Sequence, residues 1–309
     1  MKNRIVVWFG IATGLLAHCT EREVDINIVP EAPRLVIYGA LNPDSLISIW
    51  VSQTKVATDP SRVGPIANAT VLLSENNQSP RLIPLYDAER GQYQASFTPK
   101  ADATYHLQVQ AEGFSPIEAT TRTMSLTAIE ALTYEPVSTG LEPDCGLDDC
   151  TDVYRRYRIA ITWTDPSNTE NYYQIDGLSR DFDSLCNYDT VIDECRPSVE
   201  RREYGLQFFS DDPVFSGLRG PNDAIWEGLR FSDELFDGKT YTLDYEIETV
   251  AANPDQLDIA LVTLHPDIYH YEQSKDNQRI GDEAIYQNIT GGYGIFSSYS
   301  QDTVVINLE

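Results

Sequence analysis

The sequence predicts an all-β protein: an N-terminal immunoglobulin-like β-sandwich over residues 34–123, then a second, larger β-sandwich-type domain over residues 124–309 with one short helix. Three observations lead there. Apolar residues recur at every second position, as in Ile47, Ile49, Val51 and again in Tyr157, Ile159, Ile161, Trp163, which is the period of a half-buried strand. β-branched and aromatic residues crowd those stretches, and the chain has 18 Tyr against 2 Met, a sheet-forming bias. Gly, Pro, Asn and Asp separate the runs at short intervals, as turns between strands require.

In chain order, Lys2 and Arg4 lead into residues 5–17, an apolar run without charge. It is shorter than the ~20 residues a spanning helix needs. Basic lead, short apolar middle and small-residue exit are the parts of a secretory signal. Leu16-Ala17-His18-Cys19 resembles a bacterial lipobox, with His18 at a place usually held by Gly, Ala or Ser. On this reading residues 1–18 are a lipoprotein signal peptide and Cys19 carries the acyl chains that hold the protein to a membrane. An ordinary signal peptide or an uncleaved anchor are the alternatives. Residues 19–33 read as a tether: Glu21, Glu23 and Asp25 are followed by Pro30 and Pro33, which keep the backbone extended. Acidic residues just behind a lipidated cysteine resemble the export signal of Bacteroidota lipoproteins bound for the outer face of the outer membrane, here interrupted by Arg22.

Seven short strands are expected in the first domain, at residues 34–40, 45–53, 69–74, 81–86, 92–97, 105–111 and 117–123. That number, with turn signals between, is the pattern of an immunoglobulin-like sandwich. His106 falls on the polar side of its strand and reads as a surface residue. In the second domain strands are expected at 129–134, 155–164, 171–178, 201–209, 240–250, 256–265, 283–288 and 303–308. Ser232 precedes acidic residues, so 231–239 can hold one helical turn. Pro266 can begin the one helix, at 267–276. Gly291-Gly292-Tyr293-Gly294 implies a tight turn or a close backbone approach; a phosphate loop would need a helix start and usually a Lys, and neither follows.

With Cys19 acylated, Cys145, Cys150, Cys186 and Cys195 remain. An even number in an exported chain points to two disulfides, and neighbour pairing, Cys145 with Cys150 and Cys186 with Cys195, is the simplest of three connectivities. A zinc site is the rival, though the spacings are not those of a C-x2-C pair. The acidic loop 142–152 holds Asp144, Asp148, Asp149 and Asp152; it can be a solvated, disulfide-closed hairpin or a calcium loop, but it lacks the EF-hand order of ligands.

The net charge of −26 repels nucleic acid and anionic membrane surfaces. No nucleophile elbow, H-E-x-x-H pair or Walker loop is present. His265 and His270 stand five apart with Pro266 between, which does not suit a helical metal pair. Paired carboxylates such as Asp211-Asp212 could serve a glycosidase, but a chain with 48 acids holds such pairs by chance. No enzyme activity, cofactor or metal is therefore expected. Aromatic residues are the better lead: Tyr172, Tyr173, Tyr293 and Phe296, with Tyr269, Tyr271 and Tyr299, could offer amphipathic faces to sugars or peptides, or could pack between the domains or into the sheet. Asp44-Ser45-Leu46, Asp183-Ser184-Leu185, Asp189-Thr190-Val191 and Asp302-Thr303-Val304 each resemble a three-residue O-glycosylation acceptor.

Three stretches carry a family resemblance: Asn288-Ile289-Thr290-Gly291-Gly292-Tyr293-Gly294-Ile295-Phe296, Phe231-Ser232-Asp233-Glu234-Leu235-Phe236-Asp237-Gly238-Lys239, and Trp163-Thr164-Asp165-Pro166 with Asn171-Tyr172-Tyr173. Together they resemble a family of Bacteroidota outer-membrane lipoproteins known as domain of unknown function 4249 (DUF4249). The resemblance implies a lipid-anchored outer-membrane protein, facing the cell surface or the periplasm, often encoded beside a TonB-dependent β-barrel receptor of the SusC type and so an accessory for capturing or transporting a nutrient. It assigns no catalytic residue. A structural or adhesive surface protein without a transporter, or a secreted hydrolase, are the alternatives.

Overall fold

Period-two patterning makes strands, and strands with one apolar edge of the pleat must pair and stack. The computed structural model describes residues 32–55, 64–142, 152–189, 194–215, 228–249, 254–281 and 284–308. The fold is all-β and sandwich-type. Its first strands are β1 (Leu35–Leu41), β2 (Ser48–Gln53), β3 (Thr70–Glu75), β4 (Arg81–Ile83), β5 (Leu85–Asp87), β6 (Gln92–Gln94), β7 (Thr104–Gln110) and β8 (Ile117–Arg122). Then come β9 (Ala131–Glu142), β10 (Asp152–Thr164), β11 (Tyr172–Asp189), β12 (Glu194–Phe209), β13 (Leu229–Ser232), β14 (Thr240–Thr249), β15 (Pro254–Leu264), α1 (Pro266–Ile280) and β16 (Tyr293–Asn307).

A four-stranded sheet, β4-β3-β7-β8, faces the β5-β6-β2-β1 end of a twelve-stranded sheet. Between them lie Leu35, Ile37, Ile49, Val51, Val71, Leu73, Tyr105, Leu107 and Val109, all nearly inaccessible. Each such side chain stabilises the fold by about 1.5–3 kcal/mol on burial. The long sheet continues β1-β16-β15-β11-β12-β14-β10-β9, with β13 pairing β11. It folds back on itself around a second core of Tyr157, Ile159, Ile161, Trp163, Phe208, Leu243, Tyr245, Ile247, Leu257, Ile259 and Leu261. Outside this second core, β10 and β14 carry a polar ladder: Arg156 meets Glu248 at 2.8 Å, Arg158 meets Glu246 at 3.1 Å, and Thr162 meets Thr242 at 2.8 Å.

The expected boundary at 123/124 is crossed by the chain's own C-terminal strand. β16 pairs in parallel with β1 on one edge and antiparallel with β15 on the other. Ile289 and Phe296 thereby complete the first core while Ile306 joins the second, and residues 33–309 form one unit.

Several elements differ from expectation for identifiable reasons. The strand expected at 81–86 splits at Pro84, which lacks an N–H; β4 joins the small sheet and β5 the large one. The helical turn expected at 231–239 is instead the end of β13 followed by tight turns, with Phe236 N–H bonded to Asp233 O and Lys239 N–H to Phe236 O. The helix runs past residue 276, to Ile280. In place of a strand at 283–288, the described residues from 284 onward lie against α1: Tyr286 N–H donates to Ser274 Oγ at 2.8 Å and the Tyr286 hydroxyl to Asp267 Oδ1 at 2.5 Å. Among the described residues no helix is long and apolar enough to cross a membrane.

Gly294 shows why the glycine-rich stretch is needed. Its φ is 109°, and a Cβ there would collide with the carbonyl oxygen of Ile37 across the β1–β16 pairing. Gly113 also has positive φ (85°) but nothing within 4 Å of its would-be Cβ. The pair separates clash from backbone strain. Gly113→Ala should cost about 1 kcal/mol, and Gly294→Ala about 3 kcal/mol or more, measured by urea unfolding. Equal costs would mean that the close approach contributes nothing.

Candidate functional site

β11 is covered on both faces at its start. Tyr172 and Tyr173 are adjacent, so their side chains leave opposite faces of the strand. Tyr173 enters the second core beside Trp163, Phe231 and Phe236. Tyr172 lies under α1, stacked on Tyr269 with centroids 4.2 Å apart, and donates its hydroxyl to Glu170 at 2.6 Å. Phe296 is enclosed in the first core, and Tyr293 is half-buried with the Arg34 guanidinium 5.4 Å from its ring centroid. Three of the four aromatic residues named as candidates to meet a ligand, Tyr172, Tyr173 and Phe296, are thus core residues, the packing alternative. They are corrected to that role because helix and sheet cover both sides of the strands that bear them.

Two of the three family-like stretches, those around Trp163 to Tyr173 and Phe231 to Lys239, converge, but on structure. Trp163, at the end of β10, packs on Tyr173, Phe231, Phe236 and Tyr241. Beside it Asp165 accepts the Tyr173 hydroxyl at 2.6 Å and the Gly238 N–H at 2.8 Å. Asp233 accepts the backbone and side-chain N–H groups of Asn171 at 2.8 and 3.1 Å, and Asp237 accepts Asn168 N–H at 3.1 Å. Asp165, Asp233 and Asp237 each bring a carboxylate oxygen within 4.8 Å of the others. Oxygen donors of this kind suit calcium or magnesium, yet both Asp165 oxygens and one of Asp233 are already satisfied by the chain's own donors. Burial pushes the Asp165 pKa up, the Tyr173 and Gly238 donors oppose that, and the neighbouring carboxylates add to it. The group pins the start of β11 to the turn after β13.

A similar bracket fixes the C-terminal motif. The Asn288 amide accepts from Phe296 N–H at 3.0 Å and donates to Phe296 O at 2.7 Å and to Asp267 Oδ2 at 2.8 Å. It satisfies β16 where β15 no longer flanks it, since that ladder reaches only to Leu264 and Tyr299. His265 caps α1, accepting Asp267 N–H at 3.2 Å; burial lowers its pKa, with Asp267 pulling the other way. It is a capping residue in this arrangement, and His106 bonds Thr120 at 3.0 Å on its polar face.

Cys19, Cys145 and Cys150 lie outside the described residues, as does most of the acidic loop 142–152. Cys186 and Cys195 lie on the paired strands β11 and β12, opposite Pro197 and Tyr188 respectively; their side chains are outside the described residues. Of the glycosylation-like triplets, Asp183-Ser184-Leu185 also has its side chains outside them, and Asp189-Thr190-Val191 falls largely outside.

The aromatic face open to solvent is elsewhere. Tyr38 on β1 and Trp50 on β2 are directly paired across the ladder, with centroids 5.9 Å apart and planes tilted by 57°. Tyr271 of α1 stands 6.5 Å from Tyr38 at 53°. Tyr38 is 40% exposed, and its pKa is raised by partial burial and then by Glu272, Tyr271 and Tyr299. A signal for this face was present in the sequence: Leu35, Ile37, Ile49 and Val51 point inward, so Tyr38 and Trp50, of the opposite parity, must point outward.

The family model described as "Domain of unknown function (DUF4249)" matches residues 21–304. No curated protein matches. Among solved structures, a "Biofilm associated protein - B domain" is similar at 8% identity, covering 89% of this chain and 86% of that one, with a TM-score of 0.20. A "Biofilm associated protein - BSP domain" is similar at 7% identity, covering 89% of this chain and 59% of that one, with a TM-score of 0.19.

The Asp165 corner has a definite pH signature. Because the folded state holds the Asp165 proton more tightly than the unfolded chain, this group's contribution to stability is greatest below its unfolded pKa of about 3.9 and falls as pH rises through the raised folded value. Asp165→Asn removes the titration. The stability of the wild type relative to Asp165→Asn should therefore decline from about pH 4 towards neutrality, measured by denaturant unfolding at each pH. A difference that grows with pH would contradict the burial argument.

Proposed function

The chain belongs to the DUF4249 family, and on that premise we propose that it is a non-catalytic lipoprotein of the outer membrane, anchored through Cys19 and facing the cell surface, that serves a TonB-dependent, SusC-like β-barrel as a ligand-capturing accessory subunit. The observation that carries the reading is Leu16-Ala17-His18-Cys19 directly after a short apolar run, in a chain whose family match begins two residues later. Physical chemistry supports it. A chain of net charge −26 has no electrostatic attraction to an anionic membrane surface, so residence there needs a covalent anchor; each acyl CH2 buried adds about 0.8 kcal/mol. Residues 20–32, with their acids and Pro30, then act as a spacer. The buried carboxylates near Asp165 and the capping His265 are engaged in holding the fold, which favours a binding role over a hydrolytic one. The outward aromatic residues Tyr38, Trp50 and Tyr271 supply a surface suited to capture.

Cys19→Ser should move the protein from the membrane to the soluble fraction and abolish labelling by a palmitate analogue; continued fractionation with membranes would refute the anchor. Detergent extraction and purification through a C-terminal tag should recover a large β-barrel. Repeated recovery of the lipoprotein alone would favour a structural or adhesive surface protein instead.

A further inference from the structure

We propose that the outward face of β1, β2 and β6, walled by α1, binds a neutral saccharide, with Tyr38, Trp50 and Tyr271 stacking on sugar rings and Ser48, Gln92 and Gln94 hydrogen-bonding their hydroxyls. This names the ligand class for the capture role and rests on that reading.

The face is defined by register. Trp50 is paired with Tyr38 on one side and Gln92 on the other, and Ser48 is paired with Gln94. Their intervening neighbours Ile49 and Tyr93 are buried in the first core, so these residues share the opposite side of the sheet. Gln92 Nε2 and Gln94 Nε2 both donate to Ser48 Oγ, at 3.3 and 3.0 Å. That ties the polar part of the face together beside the aromatic rings. The ring planes differ by more than 50° on both sides of Tyr38, so an entering ligand meets aromatic surface from two directions.

Charge decides the ligand class. In a chain of net charge −26, these six residues are all uncharged. Of the charged groups beside them, Glu272 and Lys275 on α1 pair with each other at 2.7 Å, and Asp87, which stands opposite Gln92 on β5, pairs with Arg90 at 3.6 Å. An acidic ligand is repelled by the whole molecule. A cation would compete with Lys275, whose ammonium already stands 5.3 Å from the Tyr271 ring centroid, the distance of a cation–π contact. What remains is a neutral molecule with apolar ring faces and many hydroxyls. Amides and hydroxyls, which both donate and accept, match such a rim. An aromatic residue with a polar tip matches such a face.

The test uses the full-length lipoprotein in a detergent without a sugar headgroup, screened against arrays of neutral and acidic oligosaccharides and a peptide panel, with calorimetry on the strongest hit. Neutral oligosaccharides should bind, and Trp50→Ala and Tyr38→Ala should each weaken binding tenfold or more while the melting temperature stays within a few degrees. Tyr134→Ala, at an exposed aromatic residue of β9, should leave affinity within twofold. No binding to any neutral oligosaccharide, a preference for acidic glycans or peptides, or affinity unchanged in Trp50→Ala would overturn the proposal. If the wild type recovers a β-barrel yet binds no saccharide, the ligand class alone fails. If it binds saccharide through Trp50 yet recovers no barrel, the transporter partnership fails and the saccharide site stands.

Discussion

Everything in this fold depends on two strands from opposite ends of the chain lying side by side. β1 and β16 pair in parallel from Val36 with Tyr293 to Leu41 with Ser298. Closing a loop of that length carries an entropic cost that rises only slowly with length, but it must be met before the contacts form. The return lies in what β16 then completes. Phe296 and Ile289 close the first core, Ile306 enters the second, and Ser298 and Ser300 hydroxyls donate to the Arg122 and Ser125 carbonyls at 2.6 and 2.9 Å. The close approach at Gly294 is the local condition for that pairing, because any side chain there would meet the Ile37 carbonyl.

This explains why the sandwiches were legible and their connection was not. Period two is a local property, so Leu35–Leu41, Thr104–Gln110, Thr240–Thr249 and Pro254–Leu264 could be read from residues a few positions apart. Burial on both faces is not local. β16 is buried at four consecutive residues, Ile295 to Ser298, which erases the alternation and left only the outer part, 303–308, visible as a strand. The same effect hid the role of Tyr172 and Tyr173: adjacent aromatic residues look like a surface cluster until a helix is known to cover the second face. At 283–288 a short apolar stretch reads as a strand, but Tyr286 and Asn288 find polar partners on α1 and on β16 instead of a neighbouring strand.

The stretches that carry the family resemblance turn out to be junctions. Trp163, Asp165, Asn171, Tyr173, Asp233 and Gly238 tie the ends of β10, β11, β13 and β14 together, and Asn288 to Phe296 joins α1 to β16 and, through Gly294, to β1. Residues with so many simultaneous partners tolerate little change, since removing one leaves buried groups unsatisfied. Such residues identify the architecture of a family. They say little about what a given member binds.

Recognition then has to be sought where the architecture leaves side chains uncommitted. α1 covers the outward side of β15 and of β16 and the start of β11, through Tyr172, Val262, Leu264, Ile268 and Tyr299. It stops at Tyr38, which touches Tyr271 on one side and Trp50 on the other. Beyond that line the outward positions of β2 and β6 are Ser48, Trp50, Ser52, Gln92 and Gln94, half-buried and uncharged. On the outward side of β10 and β14, by contrast, Arg156 and Arg158 are matched against Glu246 and Glu248. One surface spends its polar groups on each other across a charge ladder, and it has little to offer a neutral ligand. The other combines aromatic area with two amides whose side-chain bonds, among the described residues, are those to the Ser48 hydroxyl, and it carries no charge ladder. In a molecule whose overall field excludes anions, that is the chemistry through which a neutral, ring-bearing ligand is held.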